Sequence, residues 1–148
     1  MTRAELSDKI VALKRKKGLT WKAIAAEIGP GSPVFYTAAF LGQMRLMPSE
    51  AEAAGRLLGL DADEVALLTE IPYRGALPSA VPTDPLIYRF YELVQVYGPT
   101  WKALIEEEFG DGIMSAIDFD MTLKREPDPK GDRVHLEMSG KFLSYKRY

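Results

Sequence analysis

The sequence predicts an α+β protein, and three observations carry that prediction. The first 70 or so residues break into short segments with helical apolar spacing, most of them closed by a glycine. A proline-rich stretch with no helical period follows. Beyond Ile117 the chain alternates apolar and polar residues, as half-buried strands do.

Leu6, Ile10 and Leu13 recur at spacings of four and three, so residues 4–17 read as a helix with Lys and Arg on its other face. Gly18 stops it. Thr20 is a plausible N-cap for a second helix, Trp21 to Ile28, which Gly29 ends. Ser32-Pro33 fits an N-cap followed by proline at the first helical position, opening a third helix to about Leu41. Pro48-Ser49-Glu50 opens a fourth helix that Gly59 ends, and Asp61 starts a short fifth one through about Thr69. Residues 1–75 are therefore expected to form a five-helix bundle.

Within that bundle, the helix Trp21–Ile28 with the helix after it resembles a helix-turn-helix, and the whole is lambda-repressor-like. A recognition helix that reads base edges carries Arg, Lys, Asn or Gln. The run Ser32 to Leu41 has none of these and instead holds Phe35, Tyr36 and Phe40. The motif is thus expected to be degenerate and to serve assembly, with no nucleic acid as partner. The basic run Lys14–Lys17 suits the C-terminal end of a helix dipole.

Residues 71–83 contain Pro72, Gly75, Pro78 and Pro82 and read as a linker. Thr83-Asp84-Pro85 is a helix-start signal, and Leu86, Phe90, Leu93, Val94 and Tyr97 form an apolar stripe after it. Gly98-Pro99 predicts a break, with a further helix to about Phe109. Gly110-Asp111-Gly112 reads as a tight turn. Ile117 to Lys124 and Val134 to Met138 read as two strands around the turn Pro127–Asp132. Residues 76–148 thus offer two helices and a hairpin. A lone hairpin is marginal in water, so this one either pairs with another subunit or folds back onto the bundle.

Bulk properties narrow the function. The chain has 148 residues, a formal net charge of -2 and no cysteine. Disulfides and thiolate metal sites are excluded. A single histidine, His135, argues against a zinc site and against a Ser-His-Asp engine. Residues 1–80 are about neutral and the rest acidic, so nothing marks the whole chain as a nucleic-acid or membrane binder. No apolar run of ~20 residues occurs, and Glu5 and Asp8 sit at the front, where a mitochondrial transit peptide lacks acidic residues. A cytoplasmic protein is expected.

Two segments could carry chemistry. Arg89 and Glu92 are three apart in Tyr88-Arg89-Phe90-Tyr91-Glu92, hence neighbours on a helix surface. They are either an ordinary surface ion pair or an arginine fixed by a carboxylate in an anion pocket. Ser115, in Gly112-Ile113-Met114-Ser115-Ala116-Ile117, is either a satisfied polar group or a hydroxyl offered to a small anion. No histidine lies near it in sequence to make it a nucleophile.

The run Pro82 to Gly98, PTDPLIYRFYELVQVYG, closely resembles the signature of the cyanase family. Phe109 to Phe119, FGDGIMSAIDF, resembles that family's second block, and Gly140-Lys141-Phe142-Leu143 resembles its C-terminus. The resemblance covers nearly the whole chain and is most specific in these segments. One departure is Ser144, where the family commonly has proline; it touches the rigidity of the tail and not the chemistry.

The resemblance implies a lyase that decomposes cyanate with bicarbonate as co-substrate and no cofactor, giving carbamate and carbon dioxide. Carbamate then yields ammonia and more carbon dioxide, in cyanate detoxification or nitrogen metabolism. It implies Arg89, Glu92 and Ser115 as catalytic residues and Ile113 and Leu143 as pocket lining. It implies a decamer of five dimers, with C-terminal hairpins intertwined within a dimer and sites formed between dimers. Residues 76–148 would be the catalytic and dimerisation part. The competing readings are a DNA-binding regulator and a non-catalytic oligomeric anion-binding protein.

Overall fold

The computed structural model describes residues Met1–Tyr148. Its elements in chain order are α1 (Arg3–Lys16), α2 (Trp21–Ile28), α3 (Pro33–Phe40), α4 (Pro48–Leu58), α5 (Ala62–Thr69), α6 (Pro85–Phe109), β1 (Gly112–Glu126) and β2 (Arg133–Ser144). The architecture is α+β, with six helices and one two-stranded sheet. The short connection between β1 and β2 makes the pair an antiparallel hairpin. No helix is long and apolar enough to cross a membrane.

Helix starts follow local chemistry. Thr2 and Glu5 form a capping box on α1: Glu5 N–H donates to Thr2 Oγ1 at 3.2 Å and Thr2 N–H to Glu5 Oε2 at 2.7 Å. Thr20 accepts from Ala23 N–H at 3.0 Å, and Ser32 from Val34 N–H at 3.2 Å. Asp61 and Glu64 cap α5 reciprocally at 2.9 and 3.0 Å. Gly59 ends α4 in the left-handed conformation that favours glycine.

The chain divides into two compact units. The first comprises Met1–Ala76 with Met121–Glu137, the outer part of the hairpin; the second comprises Leu77–Asp120 with Met138–Tyr148. Ser32 gives the outer hairpin one of its ties to the first unit: its Oγ donates to Met121 O at 3.1 Å while capping α3.

The first unit holds the hydrophobic core. Leu6, Ile10, Ile24, Ile28, Tyr36, Phe40, Leu46, Leu58 and Leu68 are all buried there. α4 packs on α5 and α2, and α2 on α3. Arg3 ties the bundle together: Nη1 donates to Leu67 O at 2.8 Å, and Nη2 donates to Ala39 O at 2.7 Å and to Met44 O at 3.1 Å. One guanidinium thus satisfies carbonyls from three separate segments. Lys9 pairs with Glu64, which is buried while capping α5.

The second unit has no such core. From Thr83 to Tyr148, Ser115 is the only buried residue. α6 is one helix of 25 residues, not the two that Gly98-Pro99 predicted. Proline removes one intrahelical hydrogen bond, which is costly when the freed carbonyl is buried. No residue of α6 is buried, so water can take that carbonyl, and only Val94 approaches Gly98. The strands are also longer than predicted: β1 begins at Gly112, inside the expected turn, and β2 continues through Ser139-Gly140 to Ser144.

Candidate active site

Asp84 fixes the start of α6. Its Oδ1 accepts from the N–H groups of Leu86 and Ile87 at 2.9 and 3.0 Å, and Pro85 takes a first-turn position where its missing N–H costs nothing. The next turn carries Arg89. Its Nη1 donates to Glu92 Oε2 at 3.0 Å, with the two side chains 65 % and 50 % exposed. An exposed pair of this kind adds little stability. It sets the guanidinium beside a carboxylate on a helix surface that also carries Tyr88 and Tyr91. Tyr88 and Tyr91 pack 5.8 Å apart between ring centroids, and Gln95 Nε2 donates to Tyr91 Oη at 3.0 Å.

Ser115 lies on β1 and is 6 % exposed. Its Oγ accepts from Ile117 N–H at 3.0 Å and from Asp118 N–H at 2.9 Å. Successive amides of a regular pleat point to opposite sides; here two of them converge on one side chain, so β1 departs from the regular pleat. A hydroxyl has two acceptor lone pairs and one proton. Both lone pairs of Ser115 are filled by amides, and the proton remains to be donated. These two amides escaped the sequence reading, because a backbone N–H carries no signature of its own. The only available signal was a serine followed by residues able to fold back on it.

The predicted lining residues sit on the hairpin base. Ile113 is exposed on β1 and Leu143 on β2. Phe109 and Phe142 pack with ring centroids 5.2 Å apart, and Tyr145 N–H donates to Asp111 O at 3.1 Å, joining the end of α6 to the chain terminus. The structure brings Arg89 and Glu92 into contact; it places Ser115, Ile113 and Leu143 on the hairpin, with no hydrogen bond or ion pair between these and the helical pair. Two cavities of about 400 and 480 Å³ lie against α4 and α5, and none of the five predicted residues lines them.

Arg89, Glu92 and Ser115 make up the predicted donor set. It offers a permanently charged planar fork oriented by a carboxylate and a hydroxyl restricted to donating. It contains no activated nucleophile. The fold is α+β, and the predicted site residues present hydrogen-bond donors from α6 and from β1. Comparison with known proteins makes the assignment specific. The family model described as "Cyanate hydratase, N-terminal" matches residues 3–72, and "Cyanate lyase C-terminal domain" matches residues 79–147. The chain is 62 % identical to the cyanate hydratase of Ralstonia pickettii (strain 12J) and 60 % identical to that of Dechloromonas aromatica (strain RCB), each over 148 residues and 100 % of both chains. Among solved structures it is similar to the cyanase from T. urticae, with a TM-score of 0.82 and 37 % identity over 94 % of this chain and 96 % of that one. The chain belongs to the cyanate hydratase family.

Proposed function

We propose that this protein decomposes cyanate in a bicarbonate-dependent reaction, with Arg89, Glu92 and Ser115 as its catalytic residues. A bicarbonate oxygen attacks the cyanate carbon. The resulting dianionic adduct takes up one proton and loses carbon dioxide, leaving carbamate, which falls apart with a second proton to ammonia and carbon dioxide. The nucleophile arrives as a substrate, so a chain without cysteine and with a single histidine lacks nothing that this chemistry needs.

The two substrates are both anions and repel each other. The protein's task is to hold them together and to neutralise charge that grows in the adduct. Arg89 clamps an anion through its fork, and Glu92 orients Arg89. Ser115 donates its one free proton to a bound anion. Ile113 and Leu143 line the pocket. The observation that carries this reading is the state of Ser115: with both lone pairs held by Ile117 and Asp118 amides, its hydroxyl acts as a donor toward an anion.

The reading includes assembly. Over its 25 residues α6 buries nothing, although Leu86, Phe90, Leu93, Val94, Val96 and Tyr97 are all apolar and exposed, and Ile117 on β1 is 98 % exposed. So large an uncovered apolar face calls for partners. In this reading other copies cover it, hairpins intertwine within a dimer, and five dimers form a decamer with sites between them. The N-terminal helices are then a degenerate helix-turn-helix that serves the assembly. In support, α3 turns Tyr36, Ala39 and Phe40 into the core and presents no basic residue.

The test is ammonia release from purified protein given cyanate in carbonate-depleted buffer, with and without added bicarbonate. Ammonia that depends on bicarbonate is the expected result. No ammonia from correctly assembled protein would remove the activity and leave an anion-binding oligomer.

A further inference from the structure

We infer that Gly140 is a positioning residue for the Ser115 hydroxyl. This rests on the reading of Ser115 as an anion donor. Gly140 lies on β2, where the hairpin brings it against Ser115 on β1. A methyl group built on Gly140 would lie 2.3 Å from the Ser115 carbonyl oxygen, 2.6 Å from Met114 Cγ and 3.3 Å from Met114 Sδ. Ordinary van der Waals contact begins near 3.4 Å, so any side chain at 140 pushes Ser115 away by about 1 Å.

The requirement is steric. Gly140 is not among the glycines with positive φ, so its backbone conformation is open to other residues. Gly112, the other strand glycine, meets the Leu143 carbonyl oxygen at 2.2 Å in the same way, whereas Gly110 and Gly131 have open space where a Cβ would be; of these four, only Gly140 meets Ser115. At Gly140 the nearest neighbour is a backbone atom, which has no rotamer to escape into.

The consequence falls on the hydroxyl. Ser115 Oγ is held by amides two and three residues further along the same strand, at 3.0 and 2.9 Å. Those bonds depend on the local turn of the backbone through 115–118. A shift of the Ser115 peptide changes that turn, lengthens the two bonds and frees the hydroxyl to rotate. Misplacement of about 1 Å in a preorganised donor costs on the order of 10² in rate. Gly140 thus acts on turnover through Ser115, touching no substrate itself.

The experiment is a double-mutant cycle on the full-length oligomer, reading kcat and KM for cyanate by ammonia release. The variants are Gly140→Ala, Ser115→Ala and both together. Gly140→Ala is expected to lower kcat by about 10²-fold and to alter KM much less. The double variant is expected to match Ser115→Ala within about two-fold, because the glycine has nothing left to position. Losses that multiply in the double variant, or a Gly140→Ala protein with normal kcat, overturn the inference while leaving the role of Ser115 intact. A Ser115→Ala protein with normal turnover removes the reading beneath it. Where Gly140→Ala alone gives no folded protein, the same cycle is run in a Met114→Ala background, which clears the side-chain part of the clash. Failure to fold there too overturns the inference, since Gly140 is then needed for folding itself.

Discussion

Arg89 Nη1 lies 3.0 Å from Glu92 Oε2, one helical turn along a helix that buries none of its residues. The pair stabilises the helix little, which leaves its arginine available for an anion. Replacing Arg89 should therefore harm turnover far more than folding. Arg89→Ala is expected to lose about 10²–10³ in rate or more while the circular dichroism of the helices is unchanged. Arg89→Lys keeps the charge and loses the planar fork, so it is expected to recover only a small part of the rate. Near-normal turnover in Arg89→Ala would take Arg89 out of the mechanism, and near-normal turnover in Arg89→Lys would show that its charge suffices without the fork.

The apolar face of α6 makes a prediction about assembly. Leu93 is exposed in the single chain, and burial of a leucine at an interface contributes roughly 1.5–3 kcal/mol per copy. Leu93→Asp is expected to break the oligomer into smaller species in sedimentation velocity, with loss of activity. An unchanged sedimentation coefficient would show that this part of α6 faces solvent.

Tyr36 joins α3 to α4. Its hydroxyl is buried, donates to Glu50 Oε1 at 2.7 Å and accepts from Gly31 N–H at 3.0 Å. Burial, and then the hydrogen bond to Glu50, raise its pKa above the usual 10.0. The folded state thus favours the neutral phenol. The stabilisation linked to that shift is complete below pH 10.0 and is lost as pH rises through the raised value. Tyr36→Phe strands a donor and a carboxylate; it is expected to cost about 1–3 kcal/mol in urea melts at neutral pH. It should also flatten the alkaline fall in stability. A variant with the same alkaline limb as the parent would assign that limb to other groups.

Arg3 offers a sharper test of the bundle. Burial lowers its pKa, and nearby Glu70 partly offsets this, yet the guanidinium stays charged at any working pH. Arg3→Ala leaves carbonyls at Ala39, Met44 and Leu67 without this donor. Hydrogen bonds to a charged group are worth about 1.5–3 kcal/mol each and are not additive here, so a loss of about 3 kcal/mol or more is expected in denaturant melts. Arg3→Lys should regain part of it, since an ammonium can reach fewer of the three. A loss below about 1 kcal/mol would mean that water replaces the guanidinium.

Much of this protein is legible from short stretches of chain. Thr20, Ser32, Asp61 and Asp84 announce helix starts, and each does so through an oxygen that reaches an amide two or three residues on. Apolar spacing gave α1, and cap, proline and glycine signals gave α2 to α5, within a residue or so of their observed bounds. Arg89, Glu92 and Ser115 stood out once their segments were matched to a family, and the helical contact of the first two follows from a separation of three.

Other features were settled only by the tertiary structure. A proline rule that acts locally predicted a break at Gly98-Pro99, yet α6 runs through both residues as one helix. Reaching from Arg3 to Ala39, Met44 and Leu67 spans 36 to 64 residues of sequence. Twenty-five residues separate Ser115 from Gly140, whose missing Cβ admits it (140 minus 115). Capping and periodicity act between neighbours in the chain, so sequence determines them. Carbonyl satisfaction and close packing act between neighbours in space, and only the folded chain decides who those neighbours are.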